Sequence, residues 1–214
     1  MAFTVPLPRS PLDCGGAVAR WYEHELGWAT AAGPPVQLVT GLRFDVLELP
    51  AAAGRGVLRR MGTAVGPAAL MGRRMRLLVA AGSAEELPGL LDWLEWGGIS
   101  LDLGMLGTDG RMTAPVPPGW RPTGRSGSGA PGAAVWLRAP EPGREVESSL
   151  PALRPSPRGR ATAEGAAPCL ARLVSVAAAE CHRARLLSAA RGRRPEPEAG
   201  TGAQQLTGQR FASS

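Results

Sequence analysis

Three acids and three arginines carry the chemistry that this chain has to offer. Asp45, Glu48 and Asp102 each sit inside an apolar run, and Arg73, Arg74 and Arg76 cluster at the start of another. Carboxylates held among apolar neighbours are ligands for a divalent metal, and guanidinium groups bind phosphate bidentately. The first two acids lie in Thr40–Pro50, TGLRFDVLELP, an apolar run entered through a glycine and closed by a proline. It reads as a buried strand, where an acid is costly unless a metal or an arginine partners it. The spacing works against a shared metal. Strand side chains alternate faces with a period of two, so an odd step sends Asp45 and Glu48 to opposite sides. A bulge would repair this, but the sequence shows no sign of one. Each residue also has a plainer reading. Asp45 can pair with Arg43 on the same strand face, Glu48 can be the solvated end of its strand, and Asp102, alternating with Leu101 and Leu103, can lie on an outer face. For Arg73, Arg74 and Arg76 the plainer reading is a solvated charged face.

The elements that must position these residues follow from periodicity and punctuation. A first helix is expected over Cys14–Leu26, capped by Asp13 and ended by Gly27, with a possible edge strand in 28–35. The strand Gly41–Leu49 leads through Pro50 into a short helix, Ala51–Met61. Met75–Ala81 reads as a second buried strand. Ser83 and Glu86 form a capping box for an amphipathic helix over Ala84–Trp96, in which Trp93 and Trp96 are expected to anchor the core or an interface. Ile99–Met105 is expected to be a third strand carrying Asp102, joined through Thr108-Asp109-Gly110 to a strand Arg111–Ala114 as a hairpin. Ala133–Arg138 reads as a last strand and Pro168–Ala190 as a long final helix. Interleaved strands and helices predict an α/β or α+β domain, and α+β is the class expected. The domain is expected over residues 12–140, after a flexible start at 1–11. It is followed by a Pro/Arg/Glu-rich disordered linker at 141–166, a C-terminal helix at 167–191 and a disordered tail at 192–214. The glycine-rich stretch Gly124–Gly132 lacks the Lys-Ser/Thr end of a P-loop.

Composition narrows the class. The chain has 214 residues and a net charge of +6, and glycine and proline supply nearly a quarter of it. All its cations except histidine are arginine, which fits either a GC-rich coding bias or a phosphate-binding surface. Cys14, Cys169 and Cys181 make no disulfide framework, and Cys181–His182, being adjacent, diverge too far on a helix to chelate together. His24 and His182 read as helix-surface residues. The N-terminus lacks the long apolar run of a secretory signal, and no run approaches the ~20 residues of a membrane span. A cytoplasmic protein with no membrane partner is expected.

The order of these elements resembles the N-terminal domain of the bifunctional DNA primase/polymerase (Prim-Pol) family, of the actinobacterial type. The run LGW at the end of a helix, then TG…LPA, GPAAL, RRMRLLVA, ELPGLLDWL, SLDL, GRMTAP and VWLR carries the likeness over roughly residues 14–140. The resemblance implies an archaeo-eukaryotic primase-like fold: a mixed sheet with an RRM-like core flanked by helices. It implies two-metal nucleotidyl transfer, using an acid pair in D-x-D/E spacing, a histidine on a following strand and an aspartate on a later one. Asp102 in SLDL matches the last acid. Asp45 and Glu48 stand for the pair with the wrong spacing, and Met75–Val79 has arginines where the histidine belongs. A degenerate domain is therefore expected, with residual nucleic-acid or nucleotide binding through Arg73, Arg74 and Arg76, single-stranded DNA as a possible partner, and no cofactor. Two alternatives stand beside it. One is a non-catalytic interaction module docking a protein through the final helix. The other is an active nucleotidyltransferase using Mg2+ or Mn2+ at Asp45, Glu48 and Asp102.

Overall fold

The computed structural model describes residues 14–120, 133–143, 146–153 and 169–192. The expected flexible start, the helix cap Asp13, the glycine-rich stretch at 124–132 and the tail beyond 192 lie outside them. Among the described residues the chain is a mixed α+β structure with four α-helices and two antiparallel sheets. The order is α1 (Cys14–Glu25), β1 (Thr30–Ala31), β2 (Gln37–Val39), β3 (Phe44–Pro50), α2 (Ala51–Met61), β4 (Ala68–Met71), β5 (Arg74–Ala80), α3 (Ser83–Trp93), β6 (Gly104–Leu106), β7 (Arg111–Thr113), β8 (Ala134–Arg138) and α4 (Leu170–Gly192).

The larger sheet runs β6-β3-β5-β4-β8, and the smaller runs β1-β2-β7. From β3 to β6 the chain reads βαββαβ, and its four strands order as fourth-first-third-second, the split βαβ arrangement. β4 and β5 form a hairpin around Gly72 and Arg73. Neither β4 nor β2 is apparent from sequence, because at 4 and 3 residues each is too short to display a period.

Alternation divides the large sheet cleanly. Leu47, Leu49, Met75, Leu77 and Val79 face the helices and join Val57, Leu87, Leu90, Leu173 and Val174 in one core. Phe44, Val46 and Leu78 face the other way and pack with Tyr22 and Trp28 beside α1 and with Leu38 and Met112 of the small sheet. The Tyr22 hydroxyl ties this second core together, donating to Pro115 O and accepting from Trp136 Nε1, both at 2.8 Å. Its burial raises the phenol well above its ordinary value, so it stays a neutral donor.

Several expectations change. The hairpin between residues 99–105 and 111–114 does not form: β6 pairs with β3 in one sheet and β7 with β2 in the other. The β6 strand begins only at Gly104, leaving Asp102 on a bend before it. Part of the expected linker is packed structure, since Val146 and Leu150 are buried in the second core and Ala80 N donates to Pro151 O at 2.9 Å. Trp93 is 73% exposed, while Trp96 packs beside His182 with ring centroids 5.8 Å apart, so His182 is half-buried instead of lying on the surface.

The final helix is also not free to present its apolar stripe. Leu170, Leu173, Val174, Ala177 and Cys181 are all buried in the helix-side core, each large apolar group contributing about 1.5–3 kcal/mol by burial. Of its large apolar side chains, Leu186 and Leu187, near its end, remain exposed. Glu180 is buried against α2 and is held by Arg60 Nε at 2.8 Å. No described helix is long and apolar enough to cross a membrane.

The helix layer sits close to the sheet because α2 carries a glycine at the contact. A methyl at Gly54 would lie 2.7 Å from Met75 Cβ, an atom fixed by the strand. Alanine favours a helix over glycine by about 1 kcal/mol. Overpacking of this kind costs about 1–3 kcal/mol, so Gly54→Ala is expected to be net destabilising. Urea unfolding checks this, and a gain in stability would show that the layers do not meet there.

Candidate functional site

The pairing of β3 with β5 sets Glu48 directly opposite Arg76, and Pro50 opposite Arg74, so all these side chains share one sheet face. On the other flank Glu48 lies opposite Gly104, two residues after Asp102. These strand ends bring four charges together. Arg76 Nε donates to Glu48 Oε2 at 2.8 Å, and Arg74 Nε donates to Glu48 Oε1 at 3.0 Å. Arg74 then reaches on, its Nη1 donating to Asp102 Oδ1 at 2.6 Å. One guanidinium bridges two carboxylates, and the same carboxylate is gripped from its other side by a second arginine. Arg76 is 8% exposed, and its Nη1 donates to the thioether of Met71 at 3.4 Å. Burial by itself would push the Glu48 carboxyl up, but hydrogen bonds and charge from Arg76 and Arg74 hold it below its ordinary value. For Arg74, desolvation is outweighed in the same way by Asp102 and Glu48, which keep it firmly protonated.

Asp45 belongs to a different piece of architecture. It lies on the helix side of the sheet and is fully buried. Its Oδ2 accepts from the backbone N–H of Ala84 at 2.8 Å, at the first turn of α3. The capping box expected from Ser83 and Glu86 is not used. Gly82 is the N-cap residue at φ +86°, a left-handed conformation suited to glycine, and no side chain of its own turn caps the helix. A carboxylate from a distant strand does the work instead, meeting both the orphan N–H groups and the positive end of the helix dipole. Arg43 does not pair with Asp45; it lies 3.7 Å from Glu147. Among the described residues Asp45 Oδ1 has no hydrogen-bond partner, and burial, with Glu85 nearby, raises its carboxyl above its ordinary value against the pull of the Ala84 amide.

The sequence-predicted site residues thus divide into three. Glu48, Asp102, Arg74 and Arg76 converge. Asp45 is on the far side of the sheet, as the odd spacing requires. Arg73 sits on the exposed β4–β5 turn, its carbonyl accepting from Ala51 N at 2.8 Å, with no ion pair among the described residues. The donors do not fit a shared divalent metal: both oxygens of Glu48 are engaged by arginine, and Asp45 is sequestered under α3. Among the described residues no three His, Cys, Asp or Glu side chains are grouped to hold one. The bridging role of Arg74 escaped the sequence because it depends on strand register; the sequence signal was the matching parity of 48 with 74 and 76 once the strands are paired antiparallel. Cys181 was also missed as a neighbour. Its thiol points to Asp102 O at 3.7 Å, and burial, then the Asp102 charge, pushes it up to about 12, so it is not a nucleophile at neutral pH.

Two acids on one strand therefore titrate in opposite senses. Glu48, held below 4.5, contributes stability that is present above that value and is lost as pH falls through its folded value. Asp45, held above 3.8, favours folding while protonated, and that advantage is lost as pH rises through its folded value. Asp45→Asn, which keeps an acceptor for Ala84, is expected to remove the second slope, whereas Asp45→Ala loses the cap and about 1 kcal/mol. Glu48→Gln is expected to cost about 1–3 kcal/mol at pH 7 and to remove the acid-side slope. Urea unfolding from pH 3 to 8 reads both, and a pH profile of Asp45→Asn identical to wild type would refute the assignment. The chain matches no family model, and no curated protein or solved structure is significantly similar to it.

Proposed function

We propose that this chain is a DNA primase/polymerase-like domain that has lost nucleotidyl transfer and keeps weak affinity for nucleic acid or nucleotide. The reading is supported by the order of sequence motifs together with the βαββαβ core, the strand order that an RRM-like unit requires. The observation that carries it is Arg74 lying between Glu48 and Asp102. Of the three acids that the resemblance would assign to metal binding, these are the two that lie together. A guanidinium fixed between them by the backbone neutralises the charge a divalent ion needs, and an ion would have to displace two charge-assisted hydrogen bonds to enter. The exposed Arg73, with no ion pair among the described residues, supplies the remaining attraction for phosphate.

Anisotropy titration of the full chain with single-stranded DNA at several salt concentrations tests this. A phosphate contact at Arg73 predicts a log–log salt slope that becomes shallower by about 0.7 in Arg73→Gln. Manganese-dependent nucleotide incorporation that disappears in Asp102→Ala would overturn the loss of catalysis. Absence of any binding would favour the other reading, an interaction module. That reading draws on Trp93, which stands 73% exposed at the end of α3. In that case the Trp93 surface, and not the buried stripe of α4, is the face to mutate.

A further inference from the structure

We propose that Glu48 is a built-in competitor for an anion site made by Arg74 and Arg76, and that the ligand it excludes is the terminal phosphate of a polyphosphate. The inference rests on the phosphate-binding reading above and concerns how that same site is regulated. Two guanidinium groups converge on one carboxylate, each contributing its Nε–H to a different oxygen, at 3.0 and 2.8 Å. That is the geometry in which arginines hold a bound oxyanion, with the anion supplied here by the chain itself. The clamp is built for more than Glu48 provides. Arg76 is nine-tenths buried, yet beyond Glu48 the hydrogen-bond partner of its guanidinium among the described residues is the Met71 sulfur at 3.4 Å, a poor acceptor. The mouth of the clamp is open to solvent through the partly exposed side chains of Arg74 and Glu48, at 30% and 22%. Arg76 is too deep for a phosphodiester backbone running past the surface, and a chain end can reach it.

While Glu48 is ionised it occupies both arginines, and an incoming phosphate meets a neutralised site that also repels it. Removing the charge frees Arg76 and the Nε–H of Arg74, whose Nη1 stays on Asp102. The full-length chain is titrated with inorganic tripolyphosphate by calorimetry at pH 7, comparing wild type, Glu48→Gln and Glu48→Gln/Arg76→Gln. Glu48→Gln is expected to bind about tenfold more tightly than wild type, a change of ~1.4 kcal/mol, with the gain lost in the double variant. No gain, or a gain that survives loss of Arg76, overturns the inference. It would leave untouched the wild-type DNA titration that tests the function itself. An equal gain for single-stranded DNA lacking a terminal phosphate would assign the arginines to backbone binding and refute the terminal-phosphate assignment. Should Glu48→Gln fail to fold, Glu48→Asp keeps the charge but is too short to span both arginines. It carries the same expectation at about threefold, and affinity equal to wild type refutes the proposal.

Discussion

Seven consecutive cross-strand pairs between β3 and β5 decide where the charged groups of this chain meet. The two strands lie at the centre of the large sheet and are buried on both faces, so their register cannot slip without turning Leu47, Leu49, Leu77 and Val79 out of one core and Phe44, Val46 and Leu78 out of the other. With register held by that much apolar surface, Glu48 has no choice but to face Arg76, and Arg74 has to lie at the strand end within reach of Asp102. The hydrophobic pattern thereby enforces an electrostatic outcome that ion pairing alone, modest in partly exposed groups, would not secure.

The same register separates two acids that the sequence places three residues apart. One becomes part of a neutral, hydrogen-bonded network with arginine. The other becomes a tertiary cap, pulling the start of α3 onto the sheet through the Ala84 amide. Both solutions answer a single requirement, that a carboxylate on a core strand must find a partner. A guanidinium satisfies it at one face and a helix N-terminus at the other. Neither leaves the pair of carboxylates free to share a cation.

The helices complete this division. α4 lies on α2 and fills the helix-side core, and its Cys181 meets the backbone at Asp102, so the last helix buttresses the segment that carries one member of the charged cluster. Arg185 adds a hydrogen bond from α4 to Ser100 O at 2.6 Å. The C-terminal helix therefore bears on the site through packing, and its apolar stripe is unavailable as a docking face.

Much of this was readable from the chain itself. Periodicity marked β3, β5, α2 and α3 to within a few residues, because those segments are long enough for an apolar pattern to repeat. The parity of positions 45 and 48 set the two acids on opposite faces, because a pleated strand alternates whatever surrounds it. Short elements escaped: β2 and β4 are too brief to show a period, and the turn at 108–110 looks like a hairpin because local turn chemistry does not say which sheet each flanking strand will join. The capping box of Ser83 and Glu86 was a sound local signal, overridden when a better acceptor arrived from a strand distant in sequence. What only the tertiary structure decided is which charge meets which. Residue types and spacing show that acids and arginines are present, but pairing between positions 48, 74, 76 and 102 is set by strand register and sheet order, and those arise from burying two hydrophobic cores at once.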